Sequence, residues 1–293
     1  MNSLCRTFLG VSLAFAGCSA VSAQEQSSRS IPKVLQITRE FTKPGKAGVV
    51  HEKAESAFVQ AMARAKWPTN YIGMTSLTGK QRALFLTRFD SFEAWEKDNA
   101  AVAKNASLAS SIDRAGFNDG DLLDSMDQAV FYFRESMSLR PMADISKMRY
   151  LDVMVFKIRN GKRSEWEELV KLAKEGYGKG DPQAHWGTFE LVYGGEAGTY
   201  LVLTARKSLS EVDRGFSMEK DIMSAIGDNS KKMDELFASC VESLQTQLFA
   251  FNPSMSYPAQ EWIKSDPDFW KASTQTAMAS PGKPVAEEVK AKQ

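Results

Sequence analysis

Only two histidines occur in the chain, His51 and His185, and they limit the chemistry that its side chains can perform near neutral pH. His51 begins the stretch His-Glu-Lys-Ala-Glu, in which Glu55 stands where a zinc-protease helix carries its second histidine. We therefore expect no metal site here, and we expect His51 to lie on a solvated helix face. His185 precedes Trp186, a pairing that suits either packing at the end of a strand or the mouth of a pocket.

Other signatures of catalysis and cofactor binding are absent from the sequence. No Gly-x-Ser-x-Gly, P-loop or Cys-x-x-Cys stretch occurs. The glycines of residues 176–180 follow a predicted helix and not a strand, which excludes a dinucleotide-binding loop. Cys240 lies within an apolar helical stripe, so we expect a buried thiol and not a nucleophile. The sequence predicts no cofactor and no metal ion.

A stretch that occurs twice indicates how the chain is organised. Residues 131–139 read FYFRESMSL and residues 249–257 read FAFNPSMSY, with both phenylalanines and the Ser-Met-Ser in register. A shift of about 116 residues also aligns residues 35–46 with 151–162 and, with a small slip, residues 84–93 with 201–210. The chain therefore reads as a tandem repeat. We expect Ser-Met-Ser to close a strand, because no histidine or acidic partner is placed near either copy.

Each copy shows the same order of elements. A strand rich in β-branched and aromatic residues ends at a glycine turn, Gly45 or Gly161, and a helix with apolar residues at helical spacing follows. Two strands, a second helical region capped by Ser91 or Ser208, and a last strand complete the copy. The order β-α-β-β-α-β is that of a ferredoxin-like unit. We predict an α+β fold in which two tandem units pack sheet to sheet as a pseudo-dimeric α/β barrel.

Two stretches of the first copy resemble a known group. Phe-Thr-Lys-Pro-Gly-Lys (41–46) and Arg-Phe-Asp-Ser-Phe-Glu-Ala-Trp (88–95) are similar to sequences of the dimeric α/β-barrel superfamily, which includes NIPSNAP-like and antibiotic-biosynthesis-monooxygenase-like proteins. The resemblance covers residues 33–258 and implies the fold. Members of the superfamily range from cofactor-free oxygenases and haem-binding proteins to proteins of no known activity, so the resemblance implies no single function.

Polar residues on the first and third strands of the copies indicate a candidate ligand site. If Leu35 and Ile37 face the helices, the alternate residues face the other copy, where a purely apolar core would not need polar groups. Those groups either satisfy one another, reach solvent or line a cavity. The candidate ligand-binding residues are Gln36, Thr38, Glu40, Phe85, Thr87, Asp152, Met154, Phe156 and Thr204, with Arg39 and Arg88 as an anion site or as surface arginines.

Three functions remain open on this basis. The first is the binding of a small, partly apolar ligand between the two sheets. The second is a cofactor-independent, monooxygenase-like reaction on an aromatic substrate, with Glu40 or His185 as the catalytic base. The third is a protein-interaction role for the second helical regions and the C-terminal tail.

The net charge and the N-terminus bear on partners and location. A net charge of +1 gives no reason to expect nucleic-acid binding. Arg6, the apolar residues 8–17 and the small residues before Gln24 predict a signal peptide over residues 1–23, hence export to the periplasm or secretion. The alternative is a lipid anchor at Cys18. No later segment is apolar enough for a transmembrane span.

The predicted organisation continues with a flexible linker (24–32), a first repeat (33–141), a second repeat (147–258) and a C-terminal extension (259–293) with a disordered end. The oligomeric state stays open.

Overall fold

The computed structural model of the protein describes residues 31–271. The strands are β1 (Val34–Thr42), β2 (Tyr71–Ser76), β3 (Arg82–Phe89), β4 (Leu123–Phe133), β5 (Tyr150–Ile158), β6 (Gly187–Tyr193), β7 (Thr199–Arg206) and β8 (Val241–Phe251). The helices are α1 (Val49–Ala65), α2 (Phe92–Lys104), α3 (Ala106–Gly120), α4 (Arg163–Gly180), α5 (Ser210–Ser217), α6 (Glu219–Ile226), α7 (Asn229–Cys240) and α8 (Gln260–Ser265). The predicted signal peptide, Cys18 and the polar end of the C-terminal extension lie outside the described residues.

The strands form one closed antiparallel barrel in the order β1-β3-β2-β8-β5-β7-β6-β4. The first four strands make one half of the barrel, the last four make the other, and each half follows the β-α-β-β-α-β order, with its second helical region divided into two or three helices. Gly45 and Gly161 have φ angles of 75° and 76° in equivalent turns, a left-handed conformation that glycine adopts without strain. The predicted fold class is confirmed.

The start of the second helical region follows the prediction in one half only. Ser91 accepts a hydrogen bond from the Ala94 N–H at 3.0 Å and caps α2 as expected. In the second half the helix begins at Ser210 with Leu209 as its N-cap residue, so the cap predicted at Ser208 is wrong.

Two short seams join the halves. At the first seam β2 pairs with β8, over Met74–Ser76 and Phe249–Phe251. At the second seam β4 pairs with β6, over Val130–Phe133 and Phe189–Tyr193. Because each half supplies one strand to each seam, neither half closes a barrel by itself.

The repeated Ser-Met-Ser fastens both seams. The Gly73 N–H donates to Ser256 Oγ at the first seam, and the Thr188 N–H donates to Ser138 Oγ at the second, each at 2.9 Å. A Cβ on Gly73 would overlap the carbonyl oxygen of Met255, so this close approach requires glycine. The motif recurs because the same joint is built twice.

The interior of the barrel is a shared apolar core. It includes Leu35 and Ile37 of the first half together with Leu151 and Val153 of the second. These residues therefore face the inside of the barrel, and the expectation that Leu35 and Ile37 face the helices is wrong. Along β1 and β5 one face is covered by the opposite half and the other by helices, so alternation alone does not tell which face is inside.

The segment after β8 closes one end of this core. Trp262 and Trp270 belong to the same apolar cluster as the strands, and Trp270 is 0% exposed. The indole N–H of Trp270 donates to the carbonyl oxygen of Ser146 at 2.7 Å, which ties the segment to the connection between the halves. None of the helices within residues 31–271 is long and apolar enough to cross a bilayer.

Candidate functional site

The residues predicted to line a space between the sheets lie on the outer face of the barrel, under the helices. Thr38 and Gln36 pair across β1 and β3 with Phe85 and Thr87, on the face opposite to Leu35 and Ile37. The remaining residues on this face are Glu40, Asp152, Met154, Phe156 and Thr204. The face assigned to them from the sequence is thus wrong for the reason given above, and ligand binding by them stays a prediction.

The predicted arginines and His185 occupy three different surroundings. Arg39 forms an exposed ion pair with Asp127, Nε to Oδ1 at 2.5 Å. Arg88 lies against Trp262, 6.0 Å from guanidinium carbon to ring centroid, and burial lowers its pKa from the ordinary arginine value. Both ring nitrogens of His185 lie 2.9 Å from backbone carbonyl oxygens, those of Gln183 and Ala205. Both ring nitrogens of His185 therefore face backbone carbonyl groups.

Glu40 belongs to a buried group of four ionisable side chains, the polar cluster. Its members are Glu40 on β1, His51 and Glu55 one turn apart on α1, and Asp119 near the end of α3, with exposed fractions of 7%, 3%, 3% and 2%. The Nε2 atom of His51 lies 3.2 Å from Glu40 Oε2, 3.3 Å from Asp119 Oδ1 and 3.9 Å from Glu55 Oε1. The prediction that His51 is solvated is therefore wrong, because α1 turns it toward the sheet.

The environment shifts the pKa values of three members of the polar cluster. Burial would lower the pKa of His51, but the adjacent carboxylates of Asp119 and Glu40 outweigh it and raise the pKa to about 10. Burial raises the pKa of Glu40, and the contact with His51 opposes this. Burial also raises the pKa of Glu55, assisted by the charges of Glu40 and Asp119. Burial and the neighbouring carboxylates therefore hold the pKa values of Glu40 and Glu55 above the ordinary glutamate value.

Several buried polar atoms in the polar cluster and near it, between the sheet and the helices, are not paired by hydrogen bonds. Glu55 Oε1 and Asp119 Oδ1 are buried near His51, yet neither makes an aligned hydrogen bond with any residue among 31–271. The same holds for the hydroxyl groups of Tyr71 and Thr42. One ligand atom from each member of the polar cluster lies within 4.8 Å of the others, so the four residues could hold a metal ion.

The second half fills the same layer with aromatic side chains. Phe156 occupies on β5 the place of Glu40 on β1, and it pairs with Tyr200 where Glu40 pairs with Ala83. Trp166 is the first buried residue of α4, as His51 is of α1, and its ring centroid lies 4.9 Å from Phe156 and 5.3 Å from Tyr200. The fold therefore does not require a polar layer here.

A cavity of about 540 Å³ lies at the end of the barrel, away from the polar cluster. It is bounded by the residues after α1, the ends of β2 and β3, helix α2 and the segment after β8. Asp98 is held in its wall by two donors, Trp67 Nε1 at 2.9 Å and Thr69 Oγ1 at 2.5 Å. Its lining residues include Trp67, Ile72, Leu86, Arg88, Phe89, Asp90, Lys97, Asp98, Ala101 and Trp262.

A smaller cavity of about 90 Å³ adjoins it at the mouth of the barrel. His185 and Trp186 are among its lining residues, and Ile72, Leu86 and Arg88 line both spaces. Arg88 thus stands at the boundary between the two. The pair His185-Trp186 does flank a cavity, although the ring nitrogens of His185 are engaged as described above.

Comparisons with known proteins support the fold. No protein-family model matches the chain, and no curated protein matches it. Among solved structures, a candidate monooxygenase from Fusobacterium nucleatum subsp. nucleatum is similar with 8% identity and a TM-score of 0.50, covering 74% of this chain and 91% of that one. A variant of chlorite dismutase from Candidatus Nitrospira defluvii has 9% identity and a TM-score of 0.46, covering 82% and 98%. At 8% identity, the likeness to the Fusobacterium structure shows a shared fold and says nothing of activity.

Proposed function

We propose that the protein is an exported ligand-binding barrel that takes a small, partly apolar molecule in the 540 Å³ cavity. The observation that carries the proposal is the cavity itself, whose volume lies in the range of small-molecule sites. We also propose that the two halves arose by tandem duplication, since they share element order, turn geometry and the Ser-Met-Ser joint. Export rests on the signal peptide expected over residues 1–23.

The lining defines the chemistry of the ligand. Trp67, Phe89 and Trp262 offer flat apolar surface, and Ile72 and Leu86 connect the cavity floor to the barrel core. The charged lining residues balance, two cations (Arg88 and Lys97) against two anions (Asp90 and Asp98). A neutral planar molecule with one or two hydrogen-bonding groups fits this wall better than a fully charged one.

The oxygenase alternative has less support from the geometry. Of its two candidate bases, Glu40 lies in the buried polar cluster and lines neither of the two cavities. The other, His185, lines the smaller cavity, but both of its ring nitrogens lie against backbone carbonyl oxygens. A general base must come within hydrogen-bond reach of the proton that it removes. We therefore place ligand binding ahead of oxygenase chemistry.

The test uses a neutral fluorescent probe, N-phenyl-1-naphthylamine, whose emission rises in apolar sites. Ala101→Trp introduces an indole at the cavity rim, whereas Ala100→Trp adds the same side chain beside it at an exposed position that does not line the cavity. We expect the wild type and Ala100→Trp to bind the probe equally, and Ala101→Trp to bind at least about tenfold more weakly. Equal binding by both variants would place the probe elsewhere and end the proposal.

A further inference from the structure

We propose that Glu40, His51, Glu55 and Asp119 form a binding site for one divalent first-row transition-metal ion. The site is separate from the cavity of the proposed function and lies between the outer face of β1 and the helices α1 and α3. No sequence motif indicates this site, because its ligands come from three elements spread over residues 40–119.

The directions of the side chains are the first argument. Three carboxylate oxygens converge on the single atom His51 Nε2, at 3.2 Å, 3.3 Å and 3.9 Å. A ring nitrogen carries at most one hydrogen, so it can donate one good hydrogen bond and not three. A spherical cation at the centre of the four atoms satisfies all of them at once.

The spacing of the ligand atoms is the second argument. Tetrahedral sites place nitrogen and oxygen ligands about 2.1 Å from the metal, so neighbouring ligand atoms are separated by about 3.4 Å. The two shorter distances from His51 Nε2 lie within a few tenths of an ångström of this value, and the contact with Glu55 is longer by about half an ångström. All four ligand atoms lie within 4.8 Å of one another, so metal binding requires side-chain rotations that draw the carboxylate oxygens closer together.

The third argument is that two of these oxygens lack an aligned hydrogen bond. Glu55 is 3% exposed and Asp119 is 2% exposed, yet Oε1 of the one and Oδ1 of the other make no aligned hydrogen bond with any residue among 31–271. A buried oxygen of this kind costs about 1–3 kcal/mol, and more when it is charged. Coordination to a metal removes that cost.

The second half provides an internal comparison. At the corresponding positions Phe156, Trp166 and Tyr200 form an apolar layer, which stabilises the fold without any ion. In the first half Ala83 stands opposite Glu40, where Tyr200 stands opposite Phe156, so the small side chain leaves room beside the carboxylate. The polar cluster thus occurs in one half only, and the fold does not require polar residues at these positions.

The donor set indicates the class of ion. Imidazole nitrogen suits zinc and iron, and carboxylate oxygen suits manganese, whereas magnesium and calcium prefer oxygen alone. One nitrogen with three carboxylates therefore points to Zn²⁺, Mn²⁺ or Fe²⁺. Because all four residues are buried, the ion would join β1, α1 and α3 and stabilise the folded chain.

The experiment measures metal content and thermal stability of the mature full-length protein. Protein purified without chelator is analysed for bound metal, then stripped with chelator and titrated with Zn²⁺ or Mn²⁺. We expect about one ion per chain, a higher Tm on addition of metal, and metal absorption spectra with one nitrogen and several oxygen neighbours.

Asp119→Asn is the test variant and Asp121→Asn its control. Asp121 lies two residues away, is exposed and is not a member of the polar cluster. We expect Asp119→Asn to weaken metal binding by about 100-fold with unchanged circular dichroism, and Asp121→Asn to bind as the wild type does. Glu55→Gln is tested in parallel, and we expect the same loss of metal binding from it. The second variant keeps the test valid if one of the two folds poorly. A folded wild type that carries no first-row metal after purification and binds neither Zn²⁺ nor Mn²⁺ at micromolar concentration overturns the proposal, and so does an Asp119→Asn protein that binds metal as well as the wild type.

Discussion

Trp270→Ala tests whether the segment after β8 is part of the barrel core. Trp270 is fully buried against Trp262, Phe251 and Phe269, and its N–H donates to the carbonyl oxygen of Ser146. A tryptophan side chain buries about 200 Å², so at about 25 cal/mol per Å² the loss is about 5 kcal/mol before correction for a compact unfolded chain. The unpaired carbonyl of Ser146 adds about 1 kcal/mol. We therefore expect a loss of about 4–5 kcal/mol of unfolding free energy once the compact unfolded chain is taken into account.

The assay is urea unfolding followed by circular dichroism, together with the thermal midpoint. A loss of this size lowers the Tm of a domain of this length by about 10–15 °C. Trp270→Phe is the control, because it keeps an aromatic ring in the core while removing the N–H donor and part of the ring volume, with an expected loss of about 1–2 kcal/mol. A loss below about 1 kcal/mol for Trp270→Ala would refute the reasoning, since the barrel end would then be closed without the segment.

Two further changes test the seam and the thiol. Gly73→Ala places a methyl group against the Met255 carbonyl oxygen, so we expect a loss of about 2–4 kcal/mol in urea unfolding, whereas Gly120→Ala, with open space around it, should be neutral or stabilising. Cys240 is fully buried and burial raises the pKa of its thiol, so a thiol reagent should label it slowly in the native protein and within seconds in urea; rapid native labelling would contradict the assigned position.

The order of elements and the fold class could be predicted from the sequence because the pattern occurs twice. Gly45 and Gly161, the strand patterns and the two Ser-Met-Ser motifs all recur at nearly one spacing, and each occurrence supports the other. The turns and the order of helices and strands along the chain follow from this, and the structure confirms the fold class.

The side of each strand could not be obtained in the same way. In a barrel covered by helices, Leu35 packs against the opposite half while Val34 packs against helix α2, and both are fully buried. An alternating pattern separates the two faces of a strand, but it does not show which face points into the barrel when both exclude water. The candidate ligand residues were assigned to the wrong face of the strands for this reason.

The sequence did not reveal the polar cluster because the first helices of the two copies align one residue away from the shift that aligns the strands. The strands of the two copies align at a shift of about 116 residues, which places His51 opposite the exposed Glu167, but the burial of the helices instead matches His51 with Trp166, one residue earlier. One residue turns a helix position by about 100°, enough to move a side chain from solvent to the sheet. Glu55 and Asp119 carried no local motif, since their meeting depends on the packing of α1 and α3.

The two seams mean that this chain is in effect a heterodimer whose subunits are covalently linked. Each half presents edge strands that fit the other half and that would remain unpaired if it stood alone. The connection between Ser138 and Arg149 raises the local concentration of the matching half, and so favours closure within one molecule. If that connection were cut, the two fragments would be expected to reassemble; if it were shortened, the halves would instead exchange between molecules and give a swapped dimer.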